Sequence, residues 1–111
     1  MTSLVGEKVR MRIWIGEGSR HDDRPLYEVL VELFRQEGIA GATVLRGIAG
    51  YGAQSIYRSR KATRLSGDLP VIVEAVDSQE KLDRVMPRIE EMMSGGMITL
   101  EKATVIRYAH K

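Results

Sequence analysis

Cysteine is absent from these 111 residues, so no disulfide and no thiolate chemistry enters the reading. Aromatics are scarce too: one Phe, one Trp and four Tyr leave little material for a base-stacking surface. No apolar run approaches a membrane span. The opening MTSLVGEKVRMRIWIGEGS has no basic stretch followed by an apolar core, so no signal peptide is expected and a cytoplasmic location is. Neither sign of charge dominates, since 17 Lys and Arg against 15 Asp and Glu give +2, too mild a balance to imply nucleic acid. What is present is 43% hydrophobic and 29% charged residues with 11 glycines, the composition of a folded chain. One domain over residues 1–111 is expected, large enough for a single core.

Residues 8–15 alternate strictly, with Val9, Met11, Ile13 and Ile15 on one face and Lys8, Arg10, Arg12 and Trp14 on the other. Period two predicts a strand. After a polar stretch, Asp22 or Asp23 is placed to cap a helix whose first turn holds Pro25. Leu26, Val29, Leu30, Leu33 and Phe34 recur at helical spacing, and Gly38 supplies a stop. Residues 43–48 predict a second strand and the β-branched run at 69–76 a third, with Pro70 at its start. Asp77 or Ser78 opens a second helix with Leu82, Val85, Met86, Ile89, Met92 and Met93 as its buried stripe, and Pro87 predicts a kink or break inside it. A fourth strand is expected at 104–108, starting a few residues earlier. The order β-α-β, long loop, β-α-β predicts an α+β ferredoxin-like fold, a four-stranded antiparallel sheet with both helices on one face. Ile72 and Val76 in strand three, with Ile106 and Tyr108 in strand four, put apolar residues on the uncovered face as well, which predicts that this face meets another subunit.

The long loop, residues 51–68, is the natural place to look for function, because compact domains seldom carry so much irregular chain without using it. At its entrance Gly47, Gly50 and Gly52 permit positive φ, so their amides could form an anion-binding nest; equally they could only shape a bulge and turn. Downstream of Tyr51 and Tyr57, Arg58, Arg60, Lys61 and Arg64 place four cations within seven residues with no acid among them. They fit a nucleotide's phosphates, a partner's acidic surface or RNA, or a solvated loop. Arg10, Arg12 and Trp14 are better explained by a subunit interface than by RNA, since no pair of stacking aromatics accompanies them. His21, Asp22 and Asp23 are better explained by helix capping than by a metal, and Ser55, Ser59 and Ser66 lack the setting of a nucleophile. No catalytic residue and no metal site is therefore assigned.

Three segments carry a resemblance. RPLYEVLVELFRQEGIAGATVLRGIAGYG, LSGDLPVIVEAVD and GGMITLEKATVIR resemble PII-like domain-of-unknown-function family 190 across nearly the whole chain and, more distantly, the PII signal-transduction proteins. The resemblance implies a trimer, a regulatory rather than enzymatic role, and an adenine nucleotide bound in intersubunit clefts beside a long loop that touches target proteins. It places Arg46, Gly47, Gly50, Tyr51, Gly52, Gln54, Glu74 and Arg107 at the ligand, and Tyr57, Arg58, Arg60, Lys61 and Arg64 in a partner-contact loop at 53–66. The phosphate-cradling G-x-G-D-G-K turn of PII is replaced here by SGGMITLEK, and the second strand-four arginine by Ala109. Two other readings stay open: an RNA-binding module of the same topology, and a small trimeric enzyme with Glu74 as its titrating group.

Overall fold

The computed structural model describes residues 4–52, 55–59 and 68–109, the side chains of 55–59 excepted. Its centre is a four-stranded antiparallel sheet built from β1 (Gly6–Gly16), β4 (Ala42–Arg46), β7 (Pro70–Asp77) and β8 (Met97–Val105), in the order β4-β7-β1-β8. Two helices, α1 (Leu26–Gln36) and α2 (Gln79–Met92), complete the ferredoxin-like arrangement. Period-two alternation sends Met11, Ile13 and Ile15 of β1 and Val71, Val73 and Ala75 of β7 toward the helices, where all are buried. They meet Leu26, Leu30, Leu33 and Phe34 of α1 and Leu82, Val85 and Ile89 of α2. The helical stripe and the strand alternation thus supply the two halves of one core.

Several local signals resolve differently from expectation. Asp22 and Asp23 do not cap α1. Both have positive φ, 50° and 64°, and form the turn of a small hairpin in which β2 (Arg20–His21) pairs with β3 (Arg24–Pro25). A two-residue turn with both φ values positive matches the twist of its strands, and Asp is among the few side chains that tolerate it. Pro25 is itself the N-cap of α1, with no side-chain cap, and the Leu26 amide donates to the Ser19 carbonyl at 2.8 Å. Gly38 does end the helix, at φ 74°, with the Ile39 amide donating back to Phe34 at 3.0 Å.

In α2, Ser78 is the N-cap, its hydroxyl accepting from the Lys81 amide at 3.2 Å. Asp77, 4% exposed, accepts from the Ser78 amide at 2.7 Å and the Ala40 amide at 2.9 Å, tying the entrance of α2 to the chain leaving α1. The helix runs uninterrupted through Pro87, so no break occurs there. The buried stripe on either side of the proline holds the turn that lacks one backbone hydrogen bond.

Strand four runs from Met97 and ends at Val105, earlier than expected, because its partner β1 begins at Gly6, which pairs with Val105. Ile106 and Tyr108 are thus off the sheet; the Tyr108 hydroxyl donates to the Ala40 carbonyl at 3.2 Å. The loop expected from residue 51 also begins as structure: β5 (Ala49–Gly52) and β6 (Ser55–Ser59) form a two-stranded antiparallel ribbon. Gly47 donates to the Pro70 carbonyl at 2.7 Å as the chain leaves β4 for that ribbon.

Candidate functional site

Five segments converge at one end of the sheet. They are the C-terminal end of β1 (Trp14, Ile15, Gly16), the turn after it (Gly18, Ser19), the β5 ribbon (Tyr51, Gly52), the entrance of β7 (Asp68, Pro70, Val71) and the turn before β8 (Gly95, Gly96, Met97). Together they line a cavity of about 950 Å³. That is ample for a nucleotide-sized ligand.

Each wall has a local cause. Tyr51 falls in a register irregularity between Gly50 and Gly52, so it has no cross-strand partner. A bulge of this kind re-aims a side chain, and Tyr51 stands 76% exposed at the cavity wall. Gly96, at φ +102°, lies so close to the Trp14 carbonyl that a Cβ would collide with it. The turn before β8 therefore lies directly on the end of β1.

Opposite, the segment Gly16-Glu17-Gly18 wraps a carboxylate. A Cβ on Gly16 would stand 2.5 Å from Asp68 Oδ1, and the Gly18 amide donates to that same oxygen at 3.1 Å. The Glu17 amide donates to the Leu69 carbonyl at 2.7 Å and fixes the turn against β7. Trp14, Ile15, Pro70, Val71 and Met97 make the remaining wall largely apolar. Among the described lining residues Asp68 carries the one charge, and no lysine, arginine or histidine joins it.

Of the residues expected at a ligand, the structure brings Tyr51 and Gly52 to this cavity. Gly47 and Gly50 stand behind it against Pro70, where a Cβ on Gly50, at φ +151°, would lie 3.0 Å from the proline ring. Because the Gly47 amide is bonded to Pro70, it is not available to a nest with Gly50 and Gly52. Arg46 is beside the cavity but forms an ion pair at 2.7 Å with Glu17, the residue between the two cradling glycines.

Glu74 is elsewhere, on the open sheet face, where Arg12 Nε donates to it at 2.7 Å. That pair belongs to a chain of charges across three strands: Arg10 also meets Glu101 at 2.7 Å, and Arg12 reaches the same Glu101 oxygen at 3.6 Å. The hydrogen bond from Arg10, then its charge, holds the Glu101 carboxyl below the usual carboxylate range and raises the Arg10 guanidinium in turn. Arg107 is exposed beyond β8. It lies at the opposite end of the sheet, since Met97 pairs with Trp14 at the cavity while Val105 pairs with Gly6 eight residues along, about 27 Å away. Gln54, Arg60, Lys61 and Arg64 lie outside the described residues, as do the side chains of Tyr57 and Arg58 in β6.

The sequence reading did not assign Gly16, Gly18, Asp68, Gly95 or Gly96 to a site. The glycine spacing in GEG and SGG was a visible signal for the turns. The Asp68 contact, across 50 residues of chain, had none.

Comparison with known proteins agrees on the fold. Residues 8–105 match the model of the DUF190 family, described as "Uncharacterized ACR, COG1993". A UPF0166 protein of Aquifex aeolicus is 39% identical over 102 residues, covering 92% of this chain and 96% of the relative. A UPF0166 protein of Methanocaldococcus jannaschii is 35% identical over 98 residues, covering 87% and 90%. Among solved structures, a protein from Thermus thermophilus described as a candidate PII-like signaling protein superposes with a TM-score of 0.66 at 20% identity, covering 95% of this chain and 94% of its own. CPII from Thiomonas intermedia, a nitrogen regulatory PII-like protein bound to ADP, AMP and bicarbonate, superposes with a TM-score of 0.61 at 16% identity, covering 91% and 90%.

Proposed function

Because this chain belongs to the DUF190 family and has the PII-like fold, we propose that it is a PII-like regulatory protein that binds an adenine nucleotide in a cleft between subunits. The observation that carries this reading is the make-up of the cavity's described walls. They offer an apolar side for a base and glycine backbone for close approach. Arg107, the arginine the family resemblance assigns to phosphate, is at the far end of the same sheet and can reach such a cavity only from another copy. The ADP and AMP bound by CPII, which shares this fold, support the choice of ligand class.

The base packs against Trp14, Tyr51 and Pro70, and the phosphates leave the cavity toward Arg107 of a second copy. Arg46 contributes little net charge, being balanced by Glu17. Binding at Tyr51 and Gly52 acts on the base of the loop at 53–66, and through it on the surface that Arg58, Arg60, Lys61 and Arg64 offer to a protein partner. No turnover is required by this reading; Glu74, the titrating group of the enzymatic alternative, is paired with Arg12 on the open sheet face.

Thermal denaturation with ATP, ADP, AMP and cyclic AMP tests the proposal. The midpoint is expected to rise with the logarithm of ligand concentration for at least one of them, by the linkage of binding to the folded state. Arg107→Ala is expected to lose about tenfold or more in affinity, the size of one charge-assisted contact. An unchanged midpoint at millimolar concentration of every nucleotide would overturn the reading.

A further inference from the structure

Asp68 is the feature of the cavity that nucleotide binding by itself does not call for. A carboxylate on the wall repels phosphate, and no cation stands beside it on the described wall to reverse that. The side chain is nonetheless held in place. Gly16 leaves room for Oδ1 where any Cβ would collide, and the Gly18 amide donates to the same oxygen at 3.1 Å. A half-buried anion that takes one backbone hydrogen bond, in room left by a glycine, is an oriented acceptor.

The geometry points to Asp68 as the specificity residue of this cavity, accepting hydrogen bonds from the vicinal hydroxyls of a ribose. This rests on the reading of the cavity as a nucleotide site. Of the parts of a nucleotide, phosphate offers only acceptors and negative charge, and the flat base belongs on the apolar side formed by Trp14, Tyr51 and Pro70. Adenine's exocyclic amine is one donor, at the base edge; the sugar supplies two, hydroxyls on adjacent carbons that one carboxylate can take together. Asp68 therefore orients the ligand, with the sugar edge toward the Gly16–Gly18 turn and the phosphates directed out of the cavity, away from the carboxylate. The ligand class narrows from adenine nucleotides in general to ribonucleotides.

Calorimetric titration of the full chain with ADP and with its 2′,3′-dideoxy analogue separates the possibilities. The wild-type protein is expected to bind ADP about tenfold or more tightly than the dideoxy compound, the effect of losing hydrogen bonds to an ionised acceptor. Asp68→Asn keeps an oxygen for the Gly18 amide and removes the charge. It is expected to bind both compounds alike, near the affinity of the wild type for the dideoxy analogue. Equal wild-type affinities for the two would overturn the assignment while leaving nucleotide binding intact, and this arm needs no variant to fold. An Asp68→Asn protein with a native circular dichroism spectrum that still prefers ADP would overturn it equally. Should neither compound bind, the pair is replaced by whichever nucleotide raises the melting midpoint and its dideoxy form; if no nucleotide does, the nucleotide reading falls, and this inference with it.

Discussion

Pro87 sits in the ninth position of a fourteen-residue helix and is exposed. Its ring removes the amide that would donate to the Asp83 carbonyl and crowds that carbonyl. The helix persists because Leu82, Val85 and Ile89 are buried on either side of the defect. Periodic burial outweighs a local penalty of this size, which is why the helix does not break there. The penalty should still be recoverable. Pro87→Ala is expected to stabilise the fold by about 2 kcal/mol, the helix gain less the greater freedom of the unfolded chain. Urea unfolding at matched protein concentration reads it as a higher midpoint with unchanged slope. A midpoint that stays level or falls would mean that the proline shapes the helix rather than weakening it.

Between elements, the open sheet face is laced by Arg10, Glu101, Arg12 and Glu74, which connect β8, β1 and β7. Glu101 titrates below the ordinary carboxylate range because Arg10 donates to it and carries the opposite charge, with Arg12 adding to the attraction. The sign follows from linkage. A carboxyl whose folded pKa is lowered contributes its stability in full above the unfolded value and loses it as pH falls through the folded value. The melting temperature of the wild type is thus expected to exceed that of Glu101→Gln at neutral pH and to converge with it in acid. Both side chains are substantially exposed, so the difference is small and shrinks with salt. A gap that widens in acid would contradict the pairing.

The order of these elements was legible because strand and helix periods differ, and Val9 to Ile15 or Leu26 to Phe34 can satisfy only one of them. The β5–β6 ribbon was less so. Its glycines and small residues read as irregular chain, although Ile56 and Tyr57 carried a strand preference. The resemblance put Tyr51 and Gly52 at a ligand, and the glycine spacing also drew attention to Gly52. The Asp68 contact had no such signal, since its partner lies 50 residues away and only the fold brings them together. Glu74 was placed at the ligand by resemblance; the alternation of β7 turns it to the open sheet face, opposite the buried Val73.

At the scale of the molecule, that same alternation leaves one apolar row running across all four strands: Leu45, Ile72, Trp14 and Met97 are register partners in sequence on the face without helices. Leu45 is 45% and Met97 52% exposed in the single chain, beside the ion-paired row. An apolar band next to fixed charges has the composition of an interface, with a water-excluding part and a part that sets orientation. The proposed nucleotide site requires such an interface, because it needs Arg107 from a second copy. Leu45→Asp places an unpaired charge in the band on an edge strand, where the fold itself can tolerate it. Burying that charge costs far more than the leucine contributed, about 1.5–3 kcal/mol when fully covered. Light scattering is expected to give a multiple of 12.5 kDa for the wild type and 12.5 kDa for the variant, with native circular dichroism in both. The variant should also lose the nucleotide-dependent rise in melting temperature, although residue 45 does not line the cavity. A wild type that scatters as 12.5 kDa at all concentrations, or a monomeric variant that binds nucleotide undiminished, would separate the cavity from assembly and leave Arg107 without a role there.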